Sequence, residues 1–355
     1  MRWALPANGV KDVEREGIRA LSTGPPLPVS PKLAKARYPE LEALPPEQMP
    51  DRMFQKLFGA ILAPAMLAGL DSVVTQWRPD LVLADAADFA GHIVAAELGI
   101  PSVTKGFGPL LSEAKIAATG AEVAGLWRSR GLAPRPYGGA YDALYIDDYP
   151  PPLQVNGYEH VPRRQLLQPL RDGGAHLRTV PLPLPEGPSS HPLVYVTMGT
   201  VFNDPGPIGV VLDGLASSAV RVLVTVGPDD DPAALGSRPR NIRVERYVPQ
   251  SLVFECCDLV ICHGGSGTTL GALAFGLPLL CLPQGADQFL NATAVTSAGV
   301  GLAIPPDQLA AEAVAPAVAR LLGERGFRDR ARQVRDAILE MPTVDVVAGV
   351  LEGLM

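Results

Sequence analysis

Residues Asp258–Ala292 read DLVICHGGSGTTLGALAFGLPLLCLPQGADQFLNA and hold an imidazole, three turn glycines, several hydroxyls and a carboxylate next to a carboxamide. An apolar run reaches His263, passes through Gly264-Gly265-Ser266-Gly267 and enters a helical pattern. A helix N-terminus offers unpaired N–H groups and the positive end of its dipole, so it attracts phosphate oxygens. Gly264, Gly265 and Gly267 let backbone approach a diphosphate, Thr268 can cap the helix and offer its hydroxyl, and the His263 ring can donate to the same anion. A second apolar run brings Asp287 and Gln288 back to the same edge of a sheet, where both suit hydroxyl groups. A tight turn with a structural histidine would use the same residues, and the turn alone leaves both readings open.

Three familiar motifs are excluded. A phosphate-binding P-loop needs Lys after its last glycine, where Thr268 stands, and the dinucleotide fingerprint needs Gly where Leu270 stands. The Gly-x-Ser-x-Gly hydrolase elbow fails at Thr268, and none of the five histidines, His92, His160, His176, His191 and His263, follows Ser266 in the chain.

Strands alternating with helices must position such a site. Pro192–Thr200, Arg221–Gly227, Ile242–Val248, Asp258–Gly264 and Pro278–Gln284 are short apolar strands, with helices such as Ile208–Ser217 and Thr268–Phe275 between them. Strands apolar on both faces indicate a parallel, doubly wound sheet. Gly276-Leu277-Pro278 closes a helix and opens a strand. The N-terminal half repeats the alternation in Arg2–Ala7, Val10–Gly17 and Ile18–Thr23, and again across Arg78–Thr104. A segment rich in Pro, Gly and Ser, residues 171–191, reads as the linker between a domain of residues 1–170 and one of residues 192–355. Two such α/β domains leave a cleft at the carboxyl ends of their strands, where ligands bind.

The 355 residues are 47% hydrophobic and 19% charged, which suits about two domains. A net charge of −7 with dispersed acidic residues argues against nucleic acid as a partner. Cys256, Cys257, Cys262 and Cys281 lie in apolar runs without a CxxC pair and read as buried thiols of a reducing compartment. The opening residues lack a signal peptide's apolar core, and Leu57–Leu70, which contains Pro64, is too short to span a bilayer. These features point to a cytoplasmic protein without a membrane span; a homodimer stays open. Asp229, Asp230 and Asp231 form an acidic triplet that reads as a solvated turn, not a metal site.

The signature from ERYVPQ (Glu245–Gln250) through Asp258–Ala292 resembles the donor-binding signature of GT-B, family 1 glycosyltransferases, in their bacterial macrolide and natural-product branch. YVTMGTVFN and RPDLVLADAADFAGHIVAAELGIP extend the similarity over most of the chain. The resemblance implies two Rossmann-like domains and inverting transfer of a sugar from a UDP- or dTDP-sugar to a lipophilic acceptor, with the donor as co-substrate and no cofactor or metal. It sets Tyr247 against the nucleobase, with Val248 and Gln250 beside the base and ribose. His263, Gly265, Gly267 and Thr268 hold the diphosphate, Gly199 and Thr200 face it across the cleft, and Asp287 and Gln288 bind sugar hydroxyls. Plant relatives carry a ribose-binding Glu where this chain has Gly271, which fits a dTDP donor. The acceptor is expected against Phe54–Leu70 and Phe107–Trp127.

In the family a loop histidine acts as general base and a later Asp orients it. Asp85 matches that Asp, and Asp88 is a weaker alternative. No match to the histidine is found, because Met1–Leu5 corresponds to the family's second strand. A reading frame that opens farther upstream accounts for this; the alternative is a nucleotide-sugar-binding partner protein without a base. With the first strand absent, the strand at Arg2–Ala7 and the one ending at Asp85 are expected either to flank a gap or to close on each other.

Overall fold

The computed structural model describes residues 1–23, 31–45, 48–169, 182–199, 205–227 and 230–355. It is an α/β protein of two compact units. Met1–Asp148, Asn156–Leu167 and Thr343–Met355 make the first; Tyr149–Val155 and Gln168–Pro342 make the second.

The second unit is built on six parallel strands: β7 (Leu193–Thr197), β8 (Arg221–Thr225), β9 (Ile242–Glu245), β10 (Leu259–Cys262), β11 (Leu279–Cys281) and β12 (Gly301–Ala303). Their order is β12-β11-β10-β7-β8-β9, so the chain reverses direction across the sheet between β7 and β10. Val194, Val196, Val222, Val224, Leu259 and Ile261 are wholly buried in one core cluster with Val211, Leu212 and Val314 of the flanking helices. Helices covering a parallel sheet explain why these strands read as unbroken apolar runs. Gly276 closes the helix before β11 at φ +72, a conformation that favours glycine.

The first unit holds two separate parallel sheets. β1 (Trp3–Leu5) pairs with β2 (Ala20–Ser22); β3 (Val82–Asp85), β4 (Ser102–Lys105), β5 (Leu144–Asp147) and β6 (Arg164–Leu166) pair in that order. β1 and β3 do not pair, and each exposes a large apolar side chain, Trp3 at 46% and Leu83 at 49%. β5, β6 and β12 were not among the strands read from the sequence.

Met49–Gln76 is one continuous helical run of 28 residues, with a π-helical stretch at Gln55–Leu62. By length and composition it could cross a membrane, which the shorter apolar stretch read from the sequence could not. Phe54, Leu67 and Leu70 pack with Ile116 and Trp127 in one core cluster, and Leu57, Ile61 and Leu62 in another. Much of the region expected to line the acceptor therefore fills the core. Val347 of the last helix, Val344–Glu352, packs on Val103, Leu144 and Ile146, so the chain's end belongs to the first unit. Cys256 is exposed, contrary to expectation, because it lies just beyond the helix Gln250–Phe254; Cys257, Cys262 and Cys281 are buried.

Candidate functional site

The reversal between β7 and β10 brings the loops after these two strands together, the place where open α/β sheets bind ligands. His263 follows β10 and Gly199 closely follows β7. Gly199, at φ +77, lies so near the imidazole that a Cβ there would sit 2.6 Å from His263 Cε1. A Cβ at Gly265 would sit 2.4 Å from His263 Nε2. Both glycines thus make room for the ring itself, a need the sequence did not reveal. Gly199 stands beside His263 within one unit. Thr200 lies outside the described residues. Burial lowers the His263 pKa from its ordinary value, while Asp287 pulls it up; Nδ1 is buried without a partner among the described residues.

The helix that follows is Ser266–Ala274, with Gly265 as its N-cap and, among the described residues, no side-chain cap on its first amides. Thr268 is therefore the third helical residue and not the cap. Its hydroxyl is buried 3.5 Å from the Gln250 side chain. A Cβ at Gly267 would meet nothing within 4 Å. On the neighbouring loop Val248 is buried, whereas Tyr247 exposes 63% of its surface. At Gly271 a Cβ would lie 2.9 Å from Phe254 Cε2, so a Glu there would require the Phe254 ring to move.

Asp287 precedes the helix Gln288–Ser297, next to Ala286 in the left-handed region at φ 52. Its Oδ2 accepts from the Ser266 hydroxyl at 2.8 Å and from Asn291 Nδ2 at 2.9 Å. The glycine turn and the second loop are thereby joined directly. Gln288 is buried, and its Oε1 accepts from the amides of Gln284 at 2.7 Å and Gly285 at 3.1 Å. That oxygen holds the loop. Ser266, Asn291 and Tyr149, whose hydroxyl donates to Asn291 Oδ1 at 2.9 Å, went unread in the sequence. Only Asn291, four residues past Asp287 on a helix, carried a spacing signal.

In the acidic segment Asp231 caps a 3-10 turn, accepting from Ala233 N at 3.0 Å. Asp229 lies outside the described residues.

In the first unit Asp85 ends β3, with Oδ1 accepting from Ala87 N at 2.9 Å. One side of it faces solvent. Desolvation by the protein behind it raises its pKa, against the Ala87 amide and Lys105. Lys105, ending β4, is ion-paired with Asp148 beyond β5. Asp88 accepts from Ala90 N at 2.9 Å and Gly91 N at 3.4 Å, and desolvation pushes its carboxyl up to about 6. His92 is buried with Nδ1 on the Ser102 hydroxyl and Nε2 3.3 Å from Thr104 Oγ1. Its pKa falls to about 4 through burial, so it is a neutral residue held between two hydroxyls of β4.

Two parallel-sheet units with this strand-end site define a GT-B glycosyltransferase. Family models match the N-terminal domain of erythromycin biosynthesis protein CIII-like proteins over residues 48–166 and their C-terminal domain over residues 209–354. Elloramycin glycosyltransferase ElmGT of Streptomyces olivaceus is 34% identical over 308 residues, 82% of this chain and 72% of that one. The structure of the glycosyltransferase SnogD from Streptomyces nogalater superposes with a TM-score of 0.75 at 27% identity, covering 99% of this chain and 90% of that one. For the spinosyn rhamnosyltransferase SpnG complexed with spinosyn aglycone the TM-score is 0.78 at 25% identity, over 99% and 91% of the two chains. The chain belongs to the erythromycin CIII-like family of natural-product glycosyltransferases.

Proposed function

We propose that the protein transfers a sugar, with inversion, from a UDP- or dTDP-sugar to a lipophilic acceptor such as a polyketide or other natural-product aglycone. One observation carries this reading: His263, held between Gly199 and Gly265, lies beside an uncapped helix N-terminus joined through Ser266 to Asp287. Such an edge suits a diphosphate with a sugar attached. The nucleobase lies against Tyr247, with Val248 and Gln250 beside the base and ribose. Gly199, Thr200, Gly265, Gly267 and Thr268 surround the diphosphate. Asp287 and Gln288 take sugar hydroxyls, and Gln288 Oε1 also fixes the loop. ElmGT and SpnG, named for elloramycin and spinosyn chemistry, support an aglycone as acceptor.

As the acceptor oxygen bonds to the anomeric carbon, the bond to the diphosphate oxygen breaks on the opposite face. Helix amides and the His263 ring stabilise the departing charge without a metal. The acceptor proton passes to a base that Asp85 orients. His92 is not that base, since both of its ring nitrogens are engaged elsewhere. The test is a panel of UDP- and dTDP-sugars against polyketide aglycones, followed by the anomeric configuration of any product. Inverted glycoside is expected. A folded chain that binds neither UDP nor dTDP overturns the reading.

A further inference from the structure

Asp287 has one carboxylate oxygen that the protein holds and one that it leaves open. Oδ2 takes the bonds from Ser266 and Asn291; Oδ1 has no hydrogen bond among the described residues. Asn291 Nδ2 also donates to Ser266 Oγ at 3.0 Å. Asn291 and Tyr149 are wholly buried. A side-chain amide has two chemically different ends, and the Tyr149 O–H on Asn291 Oδ1 fixes which end faces the carboxylate. Reversed, the amide would press its oxygen against the Asp287 oxygen. Tyr149 comes from Tyr149–Val155, a short piece of chain between β5 and β6 that packs in the second unit. A strained Ala286 next to Asp287 gives the lock something to hold.

We propose that Tyr149 and Asn291 are positioning residues for the donor sugar, orienting Asp287 so that Oδ1 accepts one sugar hydroxyl along a fixed direction. Ionised carboxylate only accepts, so the matching group on the sugar is a hydroxyl donor. Because Ser266 lies on the first turn of the helix facing the diphosphate, the lock also fixes the distance between the sugar and diphosphate ends. The proposal rests on the reading of Asp287 as the sugar-binding carboxylate.

The full chain is titrated calorimetrically with UDP, dTDP, UDP-glucose and dTDP-glucose, and the readout is the dissociation constant of each sugar nucleotide relative to its free nucleotide. Tyr149→Phe should raise that ratio roughly three- to tenfold, the worth of one buried hydrogen bond, with the free nucleotide changed less than about twofold. Asn291→Asp, nearly isosteric, serves if Tyr149→Phe fails to fold. It sets a second carboxylate against Asp287, and such a pair shares a proton. The ratio of this variant, divided by the parent's at the same pH, should then change between about pH 5 and 8, where isolated carboxylates stay ionised; the division removes the titration of the free nucleotide's terminal phosphate, and a loss of packing alone would not produce the change. Asp287→Ala is the control. If it raises the ratio while the other two variants match the parent's ratio at every pH, the positioning role is overturned and the sugar role of Asp287 stands. If Asp287→Ala leaves the ratio unchanged, the sugar role itself fails and the positioning role with it.

Discussion

Beyond β7 and β10 the sheet edge is made mostly of backbone: Gly199, Gly264, Gly265 and the first amides of the helix Ser266–Ala274, with one imidazole and one tethered carboxylate. Beyond β3, β4 and β5 the edge is made of charged side chains: Asp85, Lys105 and Asp148, with Asp88 nearby. Backbone amides do not titrate, so the helix amides at the first edge keep the same positive field at any working pH. At the second edge desolvation raises the carboxyls of Asp85 and Asp88, which also answer to their neighbours' charges. One suits a ligand whose charge is constant; the other suits chemistry in which a proton moves.

The contrast breaks most readily at the glycines. Gly199→Ala adds a Cβ 2.6 Å from the His263 ring in a backbone conformation that disfavours it. We expect a loss of stability of roughly 1–3 kcal/mol together with weaker UDP and dTDP binding, read by thermal melting and calorimetry. His263→Ala keeps the backbone and removes one donor to a charged oxygen, worth roughly 1.5–3 kcal/mol in nucleotide affinity. Unchanged affinity in His263→Ala would leave the backbone as the whole anion site.

The titrating edge is probed by pH. Asp88 has a folded-state pKa raised from 3.8 to about 6, so the folded protein holds this proton more tightly than the unfolded chain does. Its contribution is therefore greatest below the unfolded value and declines as pH rises through about 6. Asp88→Asn keeps an oxygen for the Ala90 and Gly91 amides and removes the titration. The melting temperature of the variant relative to the parent should climb as pH rises from 4 to 6 and level off above that. A difference independent of pH would show that Asp88 is not the group responsible. His92 runs the other way: depressed from 6.5 to about 4, it contributes stability above 6.5 that is lost as pH falls through that window.

The smallest effect is expected at Tyr247, whose ring is mostly exposed. Tyr247→Ala should leave the melting temperature almost unchanged and weaken UDP or dTDP by roughly 0.5–1.5 kcal/mol, the range of an aromatic stacking contact. A fall in stability without a change in affinity would reassign the ring to packing.

Periodicity and turn chemistry made much of this legible in advance. Apolar runs bounded by glycine and proline located β7 to β11, and the His-Gly-Gly-Ser-Gly turn located the strand-end site. Local detail was less secure. Thr268 reads as a cap because it is the first strong capping residue after the last glycine, yet the helix begins two residues earlier, at Ser266. Gln288 reads as a ligand for hydroxyls, but its position places Oε1 on the amides of its own loop.

The sequence by itself determined the class of fold and the glycine turn at the strand end, because both follow from signals confined to neighbouring residues: hydrophobic period, glycine conformational freedom and the polarity of a helix end. Tertiary structure alone decided what orients the reactive groups. Gly199 and His263 meet because β7 and β10 are adjacent in the sheet though 64 positions apart in the chain. Tyr149 reaches Asn291 across 142 positions, from a segment that a division of the chain at residues 171–191 assigns to the other domain. Contacts between distant residues depend on how the strands are ordered and on where the chain crosses between units. Those are properties of the packed whole, and no local pattern of residues encodes them.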